Sequence, residues 1–322
     1  MREGNNSQFT IHNSQFAKPK VFIDGREGTT GLQIFDRLAE RNDIDLLLID
    51  EPKRKDVNER KKLINEADLV FLCLPDDAAR ESAALIDNDR TRVIDASTAH
   101  RTHPDWVYGL PELFPEQREK IISASRVANP GCHATGFILA VYPLIALGIM
   151  PADYPLTCFS LTGYSGGGKS MIADYEEHKT EAMEAPGLYA LGLTHKHLPE
   201  MMAVTGLTRT PVFSPIVSDY FKGMATSIAL HNDMLLRPMT SDSIRAELAA
   251  YYAGQKYVKV SPEPGSGTLY SNWGAGTNNL EITVSGNDAQ TLITARFDNL
   301  GKGASGAAVQ NMELMLELVA SG

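Results

Sequence analysis

The sequence has few cysteines, no excess of positive charge and no long apolar run. Three cysteines, Cys73, Cys132 and Cys158, stand in 322 residues. None belongs to a C-x-x-C pair or to a Cys/His cluster with metal spacing. That argues against a structural zinc site and a disulfide framework, and no metal is expected. A reducing, cytoplasmic compartment is the simpler expectation. The 30 Lys and Arg residues are outnumbered by 40 Asp and Glu, giving a formal net charge of −10. A nucleic-acid binder shows a basic stripe instead, so no nucleic-acid partner is expected. No apolar run reaches the roughly 18 residues that span a bilayer, so no membrane partner is expected either. The polar start, MREGNNSQFTIHNSQFAKPK, lacks the apolar centre of a signal peptide. It repeats NSQF at 6–9 and 13–16. Residues 1–18 read as a disordered leader.

Hydrophobic residues make up 43% of the chain, enough for a sizeable core. The length suggests two domains of about 150 residues each. Short apolar runs that read as buried strands are KVFID, IDLLLID, DLVFLCLP, RVIDAS and SRVANPG. Helix-compatible stretches separate them. That alternation implies βαβ units and a doubly wound parallel sheet. After about residue 150 the runs lengthen (LTCFSLTGYS, GMATSIALH, NNLEITVSG, AQTLITARF) and few helices intervene. An α+β layout with a largely antiparallel sheet is expected there. KGASGAAVQNMELMLELVAS (302–321) reads as an amphipathic helix that packs back on the first domain. The fold class is therefore α/β, a Rossmann-type parallel sheet plus an α+β domain.

Residues 25–31, GREGTTG, place Gly25, Gly28 and Gly31 between the first strand and the first helix. Gly25 and Gly28 allow close approach to a pyrophosphate. Gly31 allows tight helix–strand packing, and the helix N-terminus offers free N–H groups. Thr29 and Thr30 lie in the same loop and join the candidate cofactor-binding set. A ligand-free glycine turn is the alternative. The second strand run ends at Asp50, where an acid can bind a ribose 2′-hydroxyl. Lys53, Arg54 and Lys55 follow and can hold a 2′-phosphate instead, so spacing leaves NAD and NADP both open.

ANPGCHATG (128–136) puts Cys132 after a sharp turn, at the start of an apolar helix. The positive end of the helix dipole is expected to lower its thiol pKa. Cys73 and Cys158, inside apolar runs, read as small buried hydrophobes. A cysteine nucleophile needs a base or cationic partner. GLTHKHLPE (192–200) offers His195 and His197.

The glycine loop, the NPGCHATG turn, the HKHLPE segment and DNLGKGASG (298–306), in that order, resemble N-acetyl-gamma-glutamyl-phosphate reductase in its shorter sequence type. The resemblance runs from about residue 20 to the C-terminus. It implies NADPH-dependent reduction of an acyl phosphate in arginine biosynthesis, with Cys132 as nucleophile and His195 or His197 as acid and base, His195 preferred. It also implies roles for Ser97 and Arg101 near the substrate. YSGGGKS (164–170) offers Ser165 and Gly166 N–H groups and the Lys169 charge to a substrate anion. Asn299 and Gly301 would meet the nicotinamide end. A homodimer or homotetramer is expected. The expected division is a dinucleotide-binding domain at 19–131 and 299–322, with a catalytic and oligomerisation domain at 132–298. Succinylated or aspartyl acyl phosphates, and a non-catalytic nucleotide-binding regulator, stay open as alternatives.

Overall fold

The computed structural model describes residues 17–265 and 267–318. Residues 1–16 of the expected leader and the last three residues of the expected C-terminal helix lie outside them. From Lys20 the elements run β1 (Lys20–Asp24), α1 (Thr29–Ala39), β2 (Asp45–Leu47), α2 (Val57–Glu66), β3 (Leu69–Leu72), α3 (Asp76–Ala84) and β4 (Arg92–Asp95). Then come β5 (Val107–Tyr108), α4 (Gln117–Ser123), β6 (Arg126–Ala128) and α5 (Cys132–Ala146). These six strands form one sheet in the order β2-β1-β3-β4-β6-β5, and every pairing is parallel. β1 and β3 are apolar because helices cover both faces. Ile34 and Leu38 of α1 and Ile121 of α4 pack on one face. Leu63 and Ile64 of α2 pack on the other. β2 is shorter than its IDLLLID run, because it is an edge strand and Leu48 already faces solvent.

The second half contains β7 (Thr157–Gly163), α6 (Gly168–Glu176), β8 (Gly187–Leu188), α7 (Leu198–Thr205), β9 (Val212–Ser218), β10 (Met224–His231), α8 (Ser241–Tyr251), β11 (Val258–Val260), β12 (Leu280–Gly286), β13 (Gln290–Phe297) and α9 (Gly306–Met315). The seven strands are ordered β11-β12-β13-β10-β7-β9-β8. The sheet is mixed: β11–β12 and β7–β9 pair in parallel, and the other neighbours are antiparallel. A parallel pair needs a long crossover. The one from β7 to β9 carries the second glycine loop and both histidines of the HKHLPE segment.

α5 is apolar all round because it is buried nearly throughout, against α7, β10 and β13. α9 crosses back to the parallel sheet and packs on α4, α1 and β4. A π-turn, Gly301–Ser305, precedes it where a plain helix start was expected. Its amides reach five residues back, Ser305 N–H to Leu300 O at 3.0 Å and Gly303 N–H to Asp298 O at 3.0 Å. The fully buried Lys302 anchors the turn through Glu112, at 2.8 Å to both oxygens, and Gln310. Among the described residues no helix is long and apolar enough to cross a membrane.

Candidate active site

A groove runs from the first glycine loop to Cys132. Gly25, Arg54, Lys55 and Lys169 line its outer end. Gly28, Thr29, Thr30 and Lys169 line the middle. Thr29 and Thr30 continue into an inner cleft of about 300 Å³ that also holds Cys132, His195 and His197.

The glycine loop packs hard against the protein's own backbone. A Cβ on Gly25 would meet the Cys73 carbonyl oxygen at 2.4 Å, and one on Gly31 would meet Gly25 O at 2.5 Å. The α1 N-terminus has no side-chain cap and no acidic residue in its first turn. The buried Thr29 hydroxyl there has no hydrogen-bond partner. An uncapped helix end beside an orphaned hydroxyl fits a phosphate of a dinucleotide.

The cysteine turn is held from three sides. The Gly131 N–H donates to Glu200 Oε2 at 3.2 Å. Glu200 Oε1 accepts from Arg101 Nη1 at 2.6 Å, and Oε2 accepts from the Tyr108 hydroxyl at 2.6 Å. Asn129 donates to Ala304 O at 3.0 Å, tying the turn to the π-turn. Gly303 is the close approach there: its Cβ would lie 2.9 Å from the Cys132 Cβ. Arg101 also donates to Asn129 O at 2.9 Å and Ala96 O at 3.1 Å. Its guanidinium lines the cleft but is largely engaged inside the protein.

Three imidazoles cluster beside the thiol. His133 bridges Ser160 Oγ at 2.8 Å and the Tyr189 hydroxyl at 2.7 Å. His195 meets His133 edge-on, with ring centroids 5.4 Å apart. The His197 backbone N–H donates to His195 Nδ1 at 3.1 Å, so neutral His195 carries its proton on Nε2. Burial drops His195 to about 4, with the Lys196 charge helping, and drops His133 to about 3. His197 is held well below its ordinary value, first by burial and then by Arg101. All three rings are therefore neutral at pH 7.

The Cys132 thiol is raised, not lowered, relative to an ordinary cysteine. Burial dominates, against opposing pulls from the His133 amide, Arg101 and Lys196. The helix terminus expected to ionise the thiol is outweighed by loss of water around the sulfur. Thiolate is the reactive form, so a raised pKa shifts reactivity to higher pH. Alkylation of Cys132 by iodoacetamide in the free protein is expected to keep rising up to at least about pH 9. A rate already level at pH 7 would contradict this balance.

Several expected site residues lie elsewhere. Ser97 is off the cleft: its hydroxyl donates to Asp95 at 2.7 Å and holds the loop that presents Ala96. Gly301 packs against the backbone, where a Cβ would meet Thr277 O at 2.2 Å, and Gly303 lines the cleft instead. Asp50 turns to solvent and pairs with Lys53 at 3.4 Å, leaving Arg54 on the groove. Lys169 faces the first glycine loop, not the cysteine. Ser165 and Gly166 do line the cleft. Asn299 lines it too, and its amide pins Ser165 Oγ at 3.0 Å while accepting from Gly223 N–H at 2.8 Å. His133, Tyr189 and Glu200 were not singled out in the sequence. Glu200 sits in the HKHLPE segment and His133 beside the cysteine, so proximity to a motif was a usable signal. Nothing in the sequence marks Tyr189.

Two family models match the chain. The NAD-binding domain of semialdehyde dehydrogenases matches residues 20–121, and the semialdehyde dehydrogenase dimerisation domain matches 132–299. The chain is 49% identical to N-acetyl-gamma-glutamyl-phosphate reductase 2 of Nostoc sp., covering 94% of this chain and 98% of that one. It is 48% identical to N-acetyl-gamma-glutamyl-phosphate reductase 2 of Pseudomonas putida, covering 92% and 97%. The fold is similar to crystal structures of aspartate semialdehyde dehydrogenases. One is enzyme II of Vibrio cholerae, with TM-score 0.72, 17% identity, and coverage of 94% and 99%. Another is from Francisella tularensis, with TM-score 0.68, 14% identity, and coverage of 91% and 99%.

Proposed function

The chain belongs to the semialdehyde dehydrogenase family and, within it, to the N-acetyl-gamma-glutamyl-phosphate reductases; on that premise we propose that it reduces N-acetyl-gamma-glutamyl phosphate with NADPH through a thioester on Cys132. The products are N-acetylglutamate semialdehyde and phosphate. The observation that carries this reading is the convergence of Cys132, His195, His197, Arg101 and the orphaned Thr29 hydroxyl on one groove.

An imidazole takes the Cys132 proton, and the sulfur attacks the acyl carbonyl carbon. The C–O bond to phosphate breaks, phosphate leaves with the electron pair, and the proton goes with it. A nicotinamide bound along the groove would supply the hydride needed to reduce the thioester. The resulting hemithioacetal collapses by breaking its C–S bond, giving aldehyde and a thiolate that is reprotonated. His195 carries an N–H at Nε2 in its resting tautomer, which suits it to hydrogen-bond to the carbonyl oxygen as charge develops there. His197, with a partnerless Nδ1 and with Nε2 against Gly131, is the better placed of the two to take the thiol proton.

The groove favours NADP. At its outer end, Arg26, Arg54, Lys55, Arg60 and Lys169 face three carboxylates, Asp24, Glu27 and Glu51. A 2′-phosphate suits that excess, and Asp50, the expected ribose ligand, lies off the groove. The family's dimerisation domain supports a homodimer or homotetramer. The domain division at 19–131 with 299–322, and 132–298, accords with α9 packing on the parallel sheet.

The test is a steady-state assay of purified protein. N-acetylglutamate semialdehyde should reduce NADP in a phosphate-dependent reaction, with NAD and the succinylated aldehyde used less well. Turnover confined to aspartate semialdehyde or glyceraldehyde 3-phosphate would overturn the substrate. Binding of NADP with no turnover of any aldehyde would point to a regulator.

A further inference from the structure

Two basic side chains line the wall of the inner cleft, Arg101 and Lys196. Arg101 is neutralised by Glu200 at 2.6 Å, and its remaining contacts are backbone carbonyls. The neighbouring imidazoles are neutral. Lys196 stands between His195 and His197, is exposed to the cleft, and makes no ion pair or hydrogen bond among the described residues. Its ammonium is near enough to act on Cys132, His133, His195 and His197. The expected cation, Lys169, faces the nucleotide end of the groove.

An acyl phosphate brings its phosphate on the very carbon that the sulfur attacks. The leaving group therefore lies within a few bonds of Sγ, where charge builds as the C–O bond breaks. We propose that Lys196 is the phosphate-binding cation of this cleft. It holds the phosphate of the incoming acyl phosphate, hydrogen-bonds to it as it departs, and holds inorganic phosphate in the reverse reaction. This rests on the acyl-phosphate reading of the site.

The test compares Lys196→Met and Lys196→Arg with the unaltered enzyme in the direction of aldehyde oxidation. Lys196→Met should raise the KM for inorganic phosphate roughly 10- to 100-fold, the range of a lost charge-assisted hydrogen bond. The KM for the aldehyde should hardly move, and Lys196→Arg should recover most of the loss. A second readout needs no turnover. Inorganic phosphate should protect Cys132 from iodoacetamide, and the protection constant should weaken by a similar factor in Lys196→Met. Taking the ratio with and without phosphate removes any change in thiol reactivity itself. If neither phosphate constant moves, or if the aldehyde KM rises instead, the proposal is overturned. If the unaltered protein shows phosphate protection that Lys196→Met loses, yet turns over no aldehyde, the phosphate site stands and the proposed substrate falls.

Discussion

Replacing Cys132 by Ser is expected to lower kcat by roughly 10,000-fold or more while leaving NADP affinity nearly unchanged. A serine hydroxyl is almost wholly un-ionised at neutral pH, and the site offers it only neutral imidazoles as bases. The backbone of the turn is set by Glu200 and Asn129, not by the sulfur, so the cleft keeps its shape. The outer part of the first glycine loop, at Gly25, lies at the far end of the groove and is untouched. Steady-state kinetics and a fluorescence titration with NADP read the two halves separately. Retention of about a tenth of kcat would mean that hydride reaches the acyl phosphate without a covalent stage.

Gly131→Ala should also be damaging, though less so, for a reason of space alone. The Gly131 φ of −78° is open to alanine, so backbone strain contributes nothing. Its added methyl would lie 2.5 Å from Arg101 Nη1, 2.6 Å from His197 Nε2 and 2.7 Å from Glu200 Oε1. Arg101 and Glu200 form a buried pair and have no water to swing into. Either the turn bearing Cys132 shifts, or His197 is pushed off it. A misplacement of that size in a reacting group costs roughly 100-fold in kcat/KM. Overpacking also costs about 1–3 kcal/mol of stability. Kinetics and a thermal melt check both, and near-normal activity would show that the three side chains do not converge on the working site.

Much of this was legible in the sequence where the signal is local. A strand, three glycines at fixed spacing and a helix are contiguous, as are the NPGC turn and its helix. Each is one stretch of chain whose geometry follows from its own residues. What escaped depends on contacts between distant segments. The parallel β7–β9 pair was not foreseen, because register between strands is set by packing and not by periodicity. The direction of the Cys132 shift was misread for the same reason. A helix dipole can be inferred from sequence, but the burial that outweighs it comes from segments far along the chain. Lys302 is a sharper case: in sequence it opens a helix, yet in the fold it is fully buried against Glu112. Ser97 and Gly301 lie one or two residues from Ala96 and Gly303, the positions that do line the cleft. Sequence located the segment; the side-chain direction came from the fold.

Mass analysis of Cys132 peptides after mixing with N-acetyl-gamma-glutamyl phosphate, quenched in acid with reduced cofactor left out, bears hardest on the covalent role of this sulfur. One N-acetylglutamyl group should appear on that peptide, labile to hydroxylamine, and vanish when NADPH is added before the quench. An unmodified peptide from enzyme that turns over normally would mean that the sulfur never bonds to substrate.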